Sequence, residues 1–178
     1  MELSISKIPP EFVKAIPRGM RLVNRDDNEL LLVNSLYCPN GHNLLVDSVR
    51  IHNEASIKIK VRIADNDGLI FIDSFWGSHA KLFSFFPGSL GKDATVEAFC
   101  PYCDAKLTQD YTCAFEGCDS KKSLLLNLPG GKNRVRVCAK LGCPGHVLDI
   151  NDLPHELTET VSNINFFGEG DNDIFGGI

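Results

Sequence analysis

Eight thiol and imidazole donors fall in four tight pairs: Cys38-Pro-Asn-Gly-His42, Cys100-Pro-Tyr-Cys103, Cys113-Ala-Phe-Glu-Gly-Cys118 and Cys138-Ala-Lys-Leu-Gly-Cys143. A structural metal site of tetrahedral geometry needs four nitrogen or sulfur donors. Two donors separated by a few residues let one tight turn supply two corners. The four turns therefore predict two metal sites, one from Cys38, His42, Cys100 and Cys103 and one from Cys113, Cys118, Cys138 and Cys143. In the first site a proline follows the leading cysteine of each pair, where its fixed backbone angle helps bend the loop around an ion. The 57 residues between His42 and Cys100 become a long loop closed by that ion.

Zinc suits both donor sets, with two structural ions per chain. Iron is the alternative in the second, since four thiolates in a tetrahedron serve either metal. Cys100-Pro-Tyr-Cys103 taken alone also matches a redox dithiol, but that reading expects a thioredoxin-like context and leaves Cys38 and His42 without a role. His146, in Cys143-Pro-Gly-His146, is placed to compete with Cys118 or Cys138 for the second metal. The internal repeat between 113–118 and 138–143 matches both cysteines, the alanine and the glycine, and so favours the four thiols. Seven cysteines in a chain with no secretory pattern at Met1 to Pro10 point to a reducing, cytoplasmic setting, where thiols meet metals before disulfides. No run approaches the roughly 20 apolar residues that cross a bilayer, so no membrane partner is expected.

With 178 residues, 43% of them hydrophobic and 23% charged, the chain can bury a genuine core. Its net charge of -5 is unevenly spread. Residues 111–150 carry six basic and three acidic side chains, whereas residues 151–178 carry six acidic ones and neither Lys nor Arg. Three segments follow: 1–110, a β-rich domain closed by the first site; 111–150, a second metal-bound hairpin; and 151–178, a short helix and an acidic tail.

The fold class expected is mainly β with short helices, an antiparallel meander joined to metal-bound hairpins. A helix is predicted from Glu11 to Ile16, and strands at Met20 to Asn24 and Glu29 to Asn34. Ile57, Ile59, Val61 and Ile63 alternate with Lys58, Lys60 and Arg62, the period of a half-buried strand. Asp65-Asn66-Asp67-Gly68 reads as the next turn, and Leu69 to Phe75 as a return strand buried on both faces. Trp76, Phe83, Phe85 and Phe86 extend the core, and Thr95 to Phe99 adds a strand. Ser123 to Leu128 and Lys132 to Val137 form a hairpin turning at Pro129-Gly130-Gly131, with a cysteine pair at each chain end. Asp152 and Pro154 suit the start of a helix reaching about Asn163.

The ligand pairs and hairpins in 38–42 and 95–146 resemble zinc-ribbon and rubredoxin-like modules, in which metal knuckles sit at hairpin tips. The resemblance implies a fold type and a ligand set, and no activity. The four-residue gaps of the second site and the β insertion between 42 and 100 depart from the simple pattern.

Asp73, His52, Ser78 and His79 invite a catalytic reading, but neighbours in sequence do not make a nucleophile and base meet in space. No G-x-S-x-G elbow, P-loop or dinucleotide fingerprint is present. The favoured function is therefore a non-enzymatic zinc-binding scaffold, meeting a protein partner through its β surface or through the tail 164–178. Phe166, Phe167, Ile174 and Phe175 punctuate that tail, and Asp171 and Asp173 could meet Lys132, Arg134 or Arg136. The second reading is nucleic-acid binding through the basic hairpin 121–140, whose Lys121, Lys122, Lys132, Arg134 and Arg136 would meet phosphates. The third is a metal-dependent enzyme or a rubredoxin-like electron carrier.

Overall fold

The computed structural model describes residues 8–25, 27–63, 65–78, 80–85, 94–143 and 145–164. The chain runs α1 (Pro10–Val13), β1 (Met20–Arg25), β2 (Asn28–Val33), β3 (Leu45–Ile51), β4 (Glu54–Ile63), β5 (Asn66–Ile72) and β6 (Lys81–Phe83). It continues through β7 (Glu97–Phe99), β8 (Thr108–Asp110), β9 (Lys122–Asn127), β10 (Arg134–Cys138), β11 (His146–Asp149) and α2 (His155–Ser162). All the strand pairings are antiparallel. The mainly β class is as the sequence implies.

Three sheets are built from these strands. β1 and β2 form a hairpin of their own. β3, β4, β5 and β6 form a meander, and β7 joins it by pairing Glu97, Ala98 and Phe99 with the part of β4 that β3 leaves free. β8, β9, β10 and β11 form the third sheet in the order β11-β10-β9-β8. The alternation in β4 works as read: Ile57, Ile59 and Val61 are buried while Arg62 is exposed and Lys58 and Lys60 are half-buried. Leu30, Leu31, Leu36, Ile59, Leu126, Leu148 and Ile164 belong to one buried cluster, so both larger sheets and the end of α2 share a core.

The structure corrects three readings. The turn after β4 precedes Asn66, because Asn66 pairs with Ile63, and Asn66, Asp67 and Gly68 already lie in β5. Gly68 serves packing instead: a Cβ there would lie 2.6 Å from Cδ1 of Phe85. β5 ends at Ile72, and Leu69, Phe71 and Ile72 are half-buried rather than enclosed on both faces. Leu69 and Phe71 lie opposite Lys60 and Lys58; the Lys60 ammonium pairs with Asp104 and Asp67, and the Lys58 ammonium lies 5.8 Å from the Tyr102 ring. The strand expected from Thr95 begins at Glu97, with Thr95 making a single bridge to Lys140.

The helices are also shorter than read, Pro10–Val13 and His155–Ser162, though each follows the proline that marks its start. Phe75 and Trp76 are core residues, as expected. Phe86 and His79 lie outside the described residues, as do Phe166, Phe167, Asp171, Asp173, Ile174 and Phe175 of the tail.

Candidate metal centres

Each half of the first group sits at the tip of a small antiparallel turn. Tyr37 bridges Asn43 around Cys38–His42, and Phe99 bridges Lys106 around Cys100–Cys103. The Cys38 amide donates to the His42 carbonyl (3.1 Å), and the Cys100 amide to the Ala105 carbonyl (2.9 Å). Gly41 (φ +87°) and Asp104 (φ +61°) take the left-handed conformation that closes the two turns. Strands β2, β3, β7 and β8 thus carry the four donors to one place although 65 positions separate Cys38 from Cys103.

The second group is assembled by the β9–β10 ladder. Antiparallel pairing puts the start of β9 beside the end of β10, with Ser123 opposite Cys138, so the cysteine pairs at the two chain ends of the hairpin share one physical end. The Cys113 amide donates to Ser120 (3.0 Å) and the Cys138 amide to Gly145 (2.9 Å), two matching turns from the two copies of the repeat. Gly145 is a contact glycine, since a Cβ would sit 2.7 Å from the Cys113 Sγ.

Within each group, one ligand atom from each of the four residues lies within 4.8 Å of the others. Bonds to zinc of about 2.3 Å from sulfur and about 2.0 Å from nitrogen give tetrahedral edges of about 3.8 Å between sulfurs and about 3.5 Å between sulfur and nitrogen. The corresponding distances are 3.5 Å from Cys38 Sγ to His42 Nδ1, and 3.8 Å from Cys38 to Cys103. In the second group they are 3.7 Å from Cys113 to Cys143 and 3.8 Å from Cys118 to Cys138. The donor sets therefore fit a four-coordinate ion, and every cysteine is free of disulfide bonding.

Backbone amides two residues beyond a cysteine point at its sulfur: Tyr102 to Cys100 (3.4 Å), Ser120 to Cys118 (3.5 Å), Lys140 to Cys138 (3.5 Å) and Gly145 to Cys143 (3.3 Å). Such bonds spread the negative charge of a metal-bound thiolate. In the metal-free chain burial still pushes Cys100 and Cys113 up to about 11, and raises Cys143 as well. Cys103 goes the other way, down to about 6, through the Ala105 amide first and then the Asn40 side chain. Hydrogen bonds to Cys38 and Cys103 raise the His42 imidazole. Metal binding must therefore displace protons from buried thiols, which makes it steeply pH-dependent.

His146 stands outside the second group of four. Its ring packs edge-on against Trp76, with centroids 4.7 Å apart at 88°. Asp73, His52 and Ser78 do meet. His52 Nδ1 and Ser78 Oγ both lie 2.5 Å from Asp73 Oδ2, and the Phe75 amide donates to Oδ1 (3.0 Å). The Ser78 hydroxyl thus donates to the carboxylate and the imidazole bonds the same oxygen, so the three do not form the Ser-His-Asp relay. They staple the β3–β4 turn to the loop after β5.

Lys81 was not singled out by the sequence, though a lysine after an apolar stretch is only informative once register is known. It pairs with Ile72, which pairs with Ile57, so its side chain falls on the inward face of the meander. No family model, curated protein or solved structure matches the chain.

Proposed function

We propose that the chain is a non-enzymatic binding module whose β body is held together by two zinc ions, with Cys38, His42, Cys100 and Cys103 holding one and Cys113, Cys118, Cys138 and Cys143 the other. The observation carrying this reading is the agreement between the donor separations and the edges of a zinc tetrahedron. Four protein donors fill the coordination of each ion and leave no position for substrate, which supports a structural role. When bound, each ion would supply cross-linking of turns distant in sequence, and the chain's own amides would hold the thiolates in place.

Elemental analysis of native protein tests the ions: two zinc per chain is expected, and one metal, or iron in the second site, overturns the two-zinc reading. Tyr102 supports the binding role. It is the exposed large hydrophobic residue among the described ones, at 51% exposure, and stands at a knuckle tip with the Lys58 ammonium 5.8 Å from its ring. Exposed aromatics beside a cation are common anchors in protein interfaces. A photo-crosslinking residue at position 102 should trap a protein partner, and trapping of nucleic acid instead would favour the second reading. Phe166, Phe167, Ile174 and Phe175 are retained as the tail's proposed docking residues.

Nucleic-acid binding through 121–140 is less favoured because part of that charge is engaged locally. Lys122 meets Asp110 (2.5 Å), Lys140 meets Asp119 (2.9 Å), and Arg136 lies 4.5 Å over the Tyr111 ring.

A further inference from the structure

An inward-facing lysine is an anomaly in an apolar layer. The neighbours of Lys81 across that layer include Ile57, Ile72, Val135 and Val137, drawn from both larger sheets. Among the described residues no carboxylate lies within ion-pair distance of it. Asp73 lines the same cavity but is bound by His52, Ser78 and the Phe75 amide. The side chain lines one cavity with Cys143 and a second with Cys138. An ammonium on that face gives up part of its hydration, so a neighbouring group of opposite charge would stabilise it.

Four thiolates around a divalent ion carry a net charge of about -2, the largest local charge such a site can offer. We propose that Lys81 is the countercharge of the second metal centre, reaching from β6 of the meander to the tetrathiolate held by the other sheet. This rests on the reading of Cys113, Cys118, Cys138 and Cys143 as metal ligands. It gives the half-buried, inward-facing lysine a partner and would link occupancy of the second site to the seating of β6 against the β9–β10 hairpin.

The test compares wild type, Lys81→Met and Lys81→Arg by cadmium NMR, which distinguishes a four-sulfur site from a three-sulfur, one-nitrogen site, during titration with a competing chelator. Met fills nearly the same volume without charge. The expected result is metal retention about tenfold weaker at the four-sulfur site in Lys81→Met, little change at the other site, and recovery to within about threefold in Lys81→Arg. Equal weakening of both sites, or full retention in Lys81→Met, overturns the proposal and leaves the two-metal reading standing. Absence of a four-sulfur signal in wild type overturns both. Thermal unfolding of the metal-loaded variants guards against misfolding: a Lys81→Met protein that fails to fold while Lys81→Arg folds with both metals supports the requirement for charge, and failure of both overturns it.

Discussion

Trp76 donates its indole Nε1 proton to the Val161 carbonyl over 2.7 Å, joining the loop after β5 to α2 across 85 positions of sequence. Both residues are buried, at 5% and 0% exposure, so water cannot replace that donor easily. Trp76→Phe keeps most of the apolar contact and removes the proton. It is expected to cost about 1–3 kcal/mol in denaturant unfolding, the penalty for stranding a buried carbonyl, with metal content unchanged.

Gly145 and Gly41 should respond differently to alanine. At Gly145 the added carbon meets the Cys113 and Cys143 sulfurs at 2.7 and 3.3 Å, whereas nothing lies within 4 Å of a Cβ at Gly41. Gly145→Ala is therefore expected to empty the second site while sparing the first. Gly41→Ala should keep both metals and lose only about 1 kcal/mol through its backbone angle. Metal stoichiometry and denaturant midpoints for the two variants check this.

His146→Ala should retain both metals, because the ring lies against Trp76 and outside the second group of four. Trp76 is the only tryptophan in the chain, so its fluorescence reports on its own surroundings, the His146 ring among them. An altered emission spectrum with unchanged metal content is expected. Loss of one metal would make His146 a ligand and free a cysteine.

Asp73 sets a pH dependence whose sign is opposite to that of most ion-paired carboxylates. Burial raises its pKa, outweighing the bonds from Ser78, the Phe75 amide and His52. The folded chain thus keeps this proton to a higher pH than the unfolded chain, which loses it near the ordinary value of about 3.9. The contribution to stability is full below that value and falls as pH rises through the elevated folded pKa. Asp73→Asn removes this titration, so wild type should lose stability relative to the variant as pH rises across the window. Equilibrium unfolding at several pH values measures it, and a constant difference would refute it.

Nucleic-acid affinity is expected to be no tighter than micromolar at physiological salt. The pairs Lys122–Asp110 and Lys140–Asp119 and the stacking of Arg136 over Tyr111 engage three of the six basic side chains of 121–140. A nanomolar complex with a steep salt slope, weakened by charge reversal at Lys132, Arg134 and Arg136, would contradict this.

The donor groups were legible because each ligand pair is a local feature: a tight turn is encoded by adjacent residues, including Pro39, Pro101 and Gly41. The alternation in β4 was legible for the same reason. β3, β6, β8 and β11 were not anticipated, since their pairing depends on distant strands. β3 even shifts register between Val46 and Arg50, which breaks any regular pattern in Val46-Asp47-Ser48-Val49-Arg50. Gly68 has the composition of a turn, yet its role depends on Phe85, 17 positions later. The inward direction of Lys81 is likewise a property of register, invisible until Ile72 is known to lie opposite it.

The two knuckle pairs close loops of unequal length, and a chain emerging from the ribosome meets them in sequence. Cys38 and His42 appear first but wait for Cys100 and Cys103, with the 57 intervening residues already free to fold into the meander. The second set closes between Cys118 and Cys138 over only 20 positions. Closing the longer loop costs about 1 kcal/mol more in chain entropy. Capture of an ion by Cys38 and His42 alone would leave half of a coordination shell open until Cys100 and Cys103 arrive, so the first centre would be completed only after the strands of the meander have been made.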